Sequence, residues 1–176
     1  NPDFSTRDFV DYDSNFLAIA FNVSSLERSK KILQRASKGE CLHGNPANPR
    51  PTYVSEKFYD KHNCYLNNTG DSKVTMGRIG WAEAHARAVV EDIEPIYQDI
   101  LNPMIKELIT KTWLYERYDC NSHSTHNPYY IEYPEMVVML LREIVYGINL
   151  GLNSVTIRPL EAKFAYQIGD VTVKYS

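Results

Sequence analysis

The sequence predicts a mainly α-helical fold in which helices pair as hairpins, followed by a short C-terminal β segment. Three observations predict it. Apolar residues recur at helical spacing in about five stretches. The connections between those stretches alternate short and long, at residues 23–25, 38–75, 91–94 and 119–133. The tail, residues 152–176, instead alternates apolar and polar residues as strands do. Paired helices arranged around a ring give this rhythm, with the long loops gathered at one mouth. An irregular helical bundle has the same periodicity.

From Asp11 to Ala36 the pattern is a helical hairpin. Phe16, Leu17, Ala20 and Phe21 form one stripe, and Leu26, Ile32, Leu33 and Ala36 form another. "NVSS" breaks the first helix and offers Ser24 or Ser25 as N-cap of the second. Residues 38 to 75 are dominated by turn formers, with "TYVSEKFY" as a candidate short strand. "MGRIGWAEAHARAVV" returns to helix, with Ile79, Ala82, Ala86 and Val89 near one face. "DIEPIYQDILNPMIKELITKTW" follows with a stripe of Ile96, Ile100, Met104, Ile105 and Leu108. Pro95 suits its first turn, and Pro103 should kink or divide it. "PEMVVMLLREIVYGINLGL" is the clearest helix, with Pro134 near its start and Gly147 or Gly151 near its end. Last come "SVTIRP" and "DVTVKYS", joined through "LEAKFAYQIG". The division of the chain is then 1–151, helical, and 152–176, a short β segment.

The 176 residues are 43% hydrophobic and 23% charged, enough for one domain with a real core. A net charge of -3 offers no basic field for phosphates, so nucleic acid is not an expected partner. No apolar run approaches the roughly 20 residues of a membrane helix, and no membrane partner is expected. Thirteen Tyr against six Phe favour wet clefts and interfaces. No phosphate or dinucleotide fingerprint is visible, and no cofactor is expected. His123 and His126 are three apart, without a third ligand at helical spacing, so no metal is expected.

Cys41 and Cys64 flank a Pro- and Asn-rich segment that a disulfide would constrain, leaving Cys120 odd. Asn22-Val23-Ser24 and Asn67-Asn68-Thr69 are N-glycosylation sequons. Together they point to a secreted or extracellular glycoprotein. The start "NPDFSTRDF" has neither an initiator Met nor a signal-peptide layout, as a mature or internal fragment would.

Four stretches carry a family resemblance: "DYDSNFLAIAFNVSSLERSKKILQRA", "NNTGDSKVTMGRIGWAEAHARAV", "TWLYERYDCN" and "YPEMVVMLLREIVYGINLGLNSVTIRP". In that order they resemble the last part of six-hairpin, (α/α)6-barrel glycoside hydrolases, nearest to the α-L-rhamnosidase type. The resemblance implies a partial (α/α)6 toroid. It also implies that Glu116 is the counterpart of the family's general base in a "WERWD" segment. The chain has Tyr where that segment has Trp, and an extra residue before the Glu. A ring of this kind takes twelve helices, so the remaining N-terminal portion is the implied partner chain and carries the general acid.

The chemistry fits. Hydrolysis with a carboxylate base needs one carboxylate to activate water and an acid opposite it. Trp113, Tyr115 and Tyr118 could stack on sugar faces, with Arg117 as counter-charge to Glu116. Asp11 and Asp13 of "DYDSN" could grip hydroxyls or simply cap a helix. Asp71 and Arg78 could shape the cleft or belong to a plain turn before a helix. Glu132 is a reserve carboxylate. Glu116 and Arg117 could equally be a solvated surface pair. The expected function is a glycoside hydrolase present as a C-terminal part, acting on a glycan or glycoside. A non-catalytic helical module is the alternative, either carbohydrate-binding or structural. A polysaccharide lyase using Tyr118 with His123 or His126 is a third.

Overall fold

A computed structural model describes residues 11–38, 74–119, 125–130, 132–160 and 164–175. Helix α1, Tyr12–Ala20, starts at Asp11, whose carboxylate accepts from the Ser14 backbone N–H (3.3 Å) and the Ser14 hydroxyl (2.8 Å). It buries Tyr12, Phe16 and Ile19, one helical face, and the Tyr12 and Phe16 rings stack at 5.4 Å. Ser25 caps α2, Leu26–Ala36, by accepting from the Arg28 N–H. Helix α2 buries Leu33 and Ala36 and leaves Leu26 exposed.

Strand β1, Val74–Thr75, leads into α3, Gly77–Val89. This helix is the hub. Its buried residues lie on every side, from Gly77 and Ile79 to Ala84, Ala86 and Arg87, as befits a helix surrounded by protein. Helix α1 packs along it, as does α5, described below. Helix α4 opens with a π-helical turn, Ile96–Leu101, and continues as α-helix over Asn102–Lys111. The expected division at Pro103 takes this form: Pro has no N–H to donate, and the loosened turn lies just before it. Ile96, Ile100 and Met104 from the expected stripe are fully buried.

Helix α5, Glu132–Leu140, continues as a second π turn, Leu141–Val145. Gly147 then turns the chain with φ of +61°, and its carbonyl accepts from the Arg158 N–H at 2.9 Å. A Cβ at Gly147 would stand 1.9 Å from the Arg158 carbonyl oxygen, so only glycine fits.

The β content differs from expectation in three places. Strand β2, Arg117–Asp119, pairs antiparallel with β1 and with β3, Thr125–His126, where the sequence reading saw only a helix end and a loop. Strand β4, Ile148–Leu150, falls in the expected last helix and pairs with β5, Val155–Ile157. Their turn lies where the 151/152 division was drawn. Strand β6, Phe164–Ile168, occupies the expected link and pairs with β7, Val171–Tyr175. Strand pairing is non-local, and a short apolar run reads alike as strand or buried helix.

Helices α1, α3 and α5 lie side by side with their N-terminal ends together. Asp13 meets Arg78 at 3.1 Å, joining the starts of α1 and α3. Gly77 meets the Tyr133 ring, joining the starts of α3 and α5, and His85 meets Glu143 further along both. Helix α2 departs from a simple hairpin. Its C-terminal Ser37 accepts from Arg87 at the far end of α3, so α2 crosses that end and does not return beside α1.

The close approach at Gly77 has a measurable consequence. An added Cβ would sit 2.7 Å from Cγ of Tyr133, a buried ring with little room to retreat. Gly77→Ala is expected to destabilise the fold by about 1–3 kcal/mol, as overpacking does. Urea unfolding midpoints check this, and an unchanged midpoint would show that the ring yields.

His85 gives a second test. Its imidazole packs on Trp81 with ring centroids 4.5 Å apart. Its Nε2 lies 3.2 Å from a Glu143 carboxylate oxygen, but off the direction an N–H bond requires. Glu143 is engaged by Arg142 as well. Burial pushes the imidazole below its ordinary 6.5, and the Glu143 charge opposes without reversing the shift. Below about pH 6.5 the unfolded chain therefore binds more protons than the folded one, and stability falls as pH falls. His85→Gln should flatten that part of the unfolding-midpoint profile. An identical slope in the variant would exclude His85 as its source.

Candidate active site

Helix α4 ends where Thr112 adopts a left-handed conformation, φ +67°, and donates its N–H to the Leu108 carbonyl at 2.8 Å. The chain then runs extended. Tyr130 N–H donates to the Leu114 carbonyl at 3.3 Å, and Glu116 N–H to the Asn127 carbonyl at 3.2 Å. With the β2–β3 pairing, these bonds clamp residues 113–119 against residues 125–130. The clamp lies at the end of α3 where β1 enters, the end shared by the starts of α1 and α5.

Glu116 sits in this clamp with a largely covered side chain. One carboxylate oxygen accepts from Arg117 at 3.3 Å, and the other from the Asn127 side-chain amide. Asn127 was not anticipated as a partner of Glu116. Eleven residues separate them, and only the pairing of the two segments brings them together.

Aromatic residues flank Glu116 along the clamp. Trp113 is half-buried, 6.3 Å from Tyr115 and 4.5 Å from Tyr129. Tyr118 differs from expectation. It was expected to offer a stacking face for sugar, yet it is only 1% exposed. Its ring meets Tyr115 edge-on at 5.8 Å, and its hydroxyl oxygen accepts from the Tyr115 N–H at 3.1 Å. Burial pushes that hydroxyl far above its ordinary range, so it stays protonated at neutral pH. Strand β2, paired on both edges, buries Tyr118 and its neighbour Asp119. Tyr129 takes the solvent-facing position at Trp113 instead.

The other sequence candidates scatter. Asp11 is engaged as the cap of α1. Asp13 and Arg78 pair with each other, tying α1 to α3 with side chains still 30% and 40% exposed. Glu132 opens α5, and its side chain lies outside the described residues, as does that of His126. Asp71, Asn67, Cys41, Cys64, Cys120 and His123 lie outside the described residues altogether. Asn22 is exposed, in the left-handed turn after α1. Among the described residues, no group of three or more His, Cys, Asp or Glu side chains gathers as a metal site. No helix among them is long and apolar enough to cross a membrane.

Comparison with protein-family models, curated proteins and solved structures returns no match for this chain.

Proposed function

We propose that this chain contributes the C-terminal part of a glycoside hydrolase. Glu116 acts as the carboxylate that activates water, and further polypeptide completes a ring of paired helices. The observation that carries the reading is the setting of Glu116. It is an acid held from both oxygens, among aromatic rings, at the end where three parallel helices begin. A ring of helical hairpins places its inner helices parallel in this way. Loops at their shared end would surround a cleft there.

The roles follow from the chemistry. Arg117 and Asn127 fix the carboxylate so that a remaining lone pair can take a proton from water. Trp113 and Tyr115 offer apolar faces to a sugar ring. A carboxylic acid on the completing polypeptide protonates the leaving oxygen. Asn22 and Asn67 carry glycans and Cys41 bonds Cys64 if the protein is secreted, which an intact mass before and after glycosidase and reductant reads directly.

The test begins with native material. A larger polypeptide is expected to co-purify with this sequence or to be continuous with it, and that assembly to release reducing sugar from glycosides. Glu116→Gln should lower the release by at least about a hundredfold. An assembly inactive on a broad panel of neutral glycosides would remove the reading. One observation favours a second reading, a non-catalytic carbohydrate-binding module. Both oxygens of Glu116 are already engaged, as in a structural clamp. Binding of glycans without turnover by the native assembly would select it.

A further inference from the structure

Asn127, Pro128 and Tyr129 form an unusual local structure. Asn127 and Tyr129 both have left-handed backbones, with φ of +54° and +61°. Asparagine visits that region readily; a tyrosine there is an outlier that costs on the order of 1–2 kcal/mol. Strain of this kind is held only when the surroundings enforce it. Core packing of the Tyr129 ring does not account for it, because the residue is 68% exposed. The strain instead holds the ring over Trp113, at 4.5 Å and a 48° tilt.

The polar groups beside this pair of rings are incomplete. Trp113 Nε1 and Arg117 Nε are buried N–H donors without an acceptor among the described residues. Glu116 supplies a carboxylate and Asn127 an amide next to them. Those two donors are covered, so the groups open to a ligand are the exposed Tyr129 ring and the exposed Asn127 amide, which stand beside the largely covered Glu116–Arg117 pair with its offsetting charges. We infer that Tyr129 and Trp113 form an aromatic platform that binds a neutral sugar ring beside Glu116, with Tyr129 as the specificity-determining residue. A sugar matches because its C–H face packs on rings while its hydroxyls both donate and accept. A sugar acid would bring its charge against Glu116. A proline-rich segment has the apolar rings but no hydroxyls to pair with the carboxylate. The identity of the ligand as sugar rests on the glycosidase reading above; the platform itself rests on the geometry.

Titration of the native assembly with neutral disaccharides and methyl glycosides, followed by calorimetry, is expected to give a saturable heat of binding. Glucuronate and octaproline serve as the charged and proline-rich controls. Tyr129→Ala should weaken binding about tenfold, and Tyr129→Phe should retain it. Tyr129→Gly separates binding from structure: it relieves the left-handed strain, so it should unfold no earlier than the parent yet bind about tenfold more weakly.

No response to any neutral sugar would overturn the inference. So would unchanged affinity in Tyr129→Ala and Tyr129→Gly, or binding of glucuronate or octaproline in place of neutral sugar. Failure of the base assignment reads differently: turnover by the native assembly would survive Glu116→Gln while sugar still binds and Tyr129→Ala still weakens that binding.

Discussion

If Glu116 is the base we propose, Glu116→Gln is expected to lower glycoside hydrolysis by the native assembly about 10²–10⁴-fold, the range a positioned general base contributes. Gln keeps the size of the side chain and an oxygen to accept from Arg117 or Asn127, but it cannot take a proton from water. It also turns an N–H₂ group toward a neighbour that is itself a donor, since both partners of Glu116 donate. The stability cost should stay within the scale of one hydrogen bond, about 1–3 kcal/mol. Turnover on neutral glycosides, with circular dichroism to verify the fold, separates the two effects. If kcat falls less than about tenfold in a folded variant, Glu116 is not the base.

Arg87→Met is expected to be among the most destabilising single substitutions in the chain, at about 3–5 kcal/mol. Arg87 and Glu83 are both 0% exposed and one helical turn apart on α3. The guanidinium donates from Nε to Glu83 at 2.7 Å, from Nη1 to Asp92 and from Nη2 to Ser37 at 3.2 Å. The Asp92 side chain is 42% exposed and screened by water, so that contact adds little. Most of the expected loss comes from taking the counter-charge away from the Glu83 carboxylate in the core. Urea unfolding of Arg87→Met, Glu83→Leu and the double variant forms the test. The double variant should be more stable than Arg87→Met, because it also removes the buried carboxylate whose charge Arg87 balances. Additive losses would contradict the coupling.

The two predictions differ in how visible their residues are in sequence. The aromatic and charged content of "TWLYERYD" singles out Glu116 before any coordinates. On α3 the sequence shows the apolar face of Ile79, Ala82, Ala86 and Val89 but assigns no burial to Glu83 and Arg87. They are buried because α3 is enclosed on every side, and enclosure depends on neighbours distant in the chain.

The local features were legible wherever the governing interaction spans a few residues. Helical stripes place Phe16, Leu33, Ile79, Ile100 and Met104 in the core, and all are buried. Asp11 and Ser25 cap the helices they precede, and Pro103 marks where α4 changes its winding. Caps, periodicity and the missing N–H of proline act over one or two turns, so the order of residues suffices to reveal them.

Tertiary structure decided the rest. The β1–β2–β3 pairing buries Tyr118, leaves Tyr129 over Trp113 and brings Asn127 to Glu116. The Ser37 contact with Arg87 sends α2 across the far end of α3. Contacts across tens of residues leave no periodic trace in the chain. Which side of a tyrosine meets water is fixed only when another segment arrives to cover it.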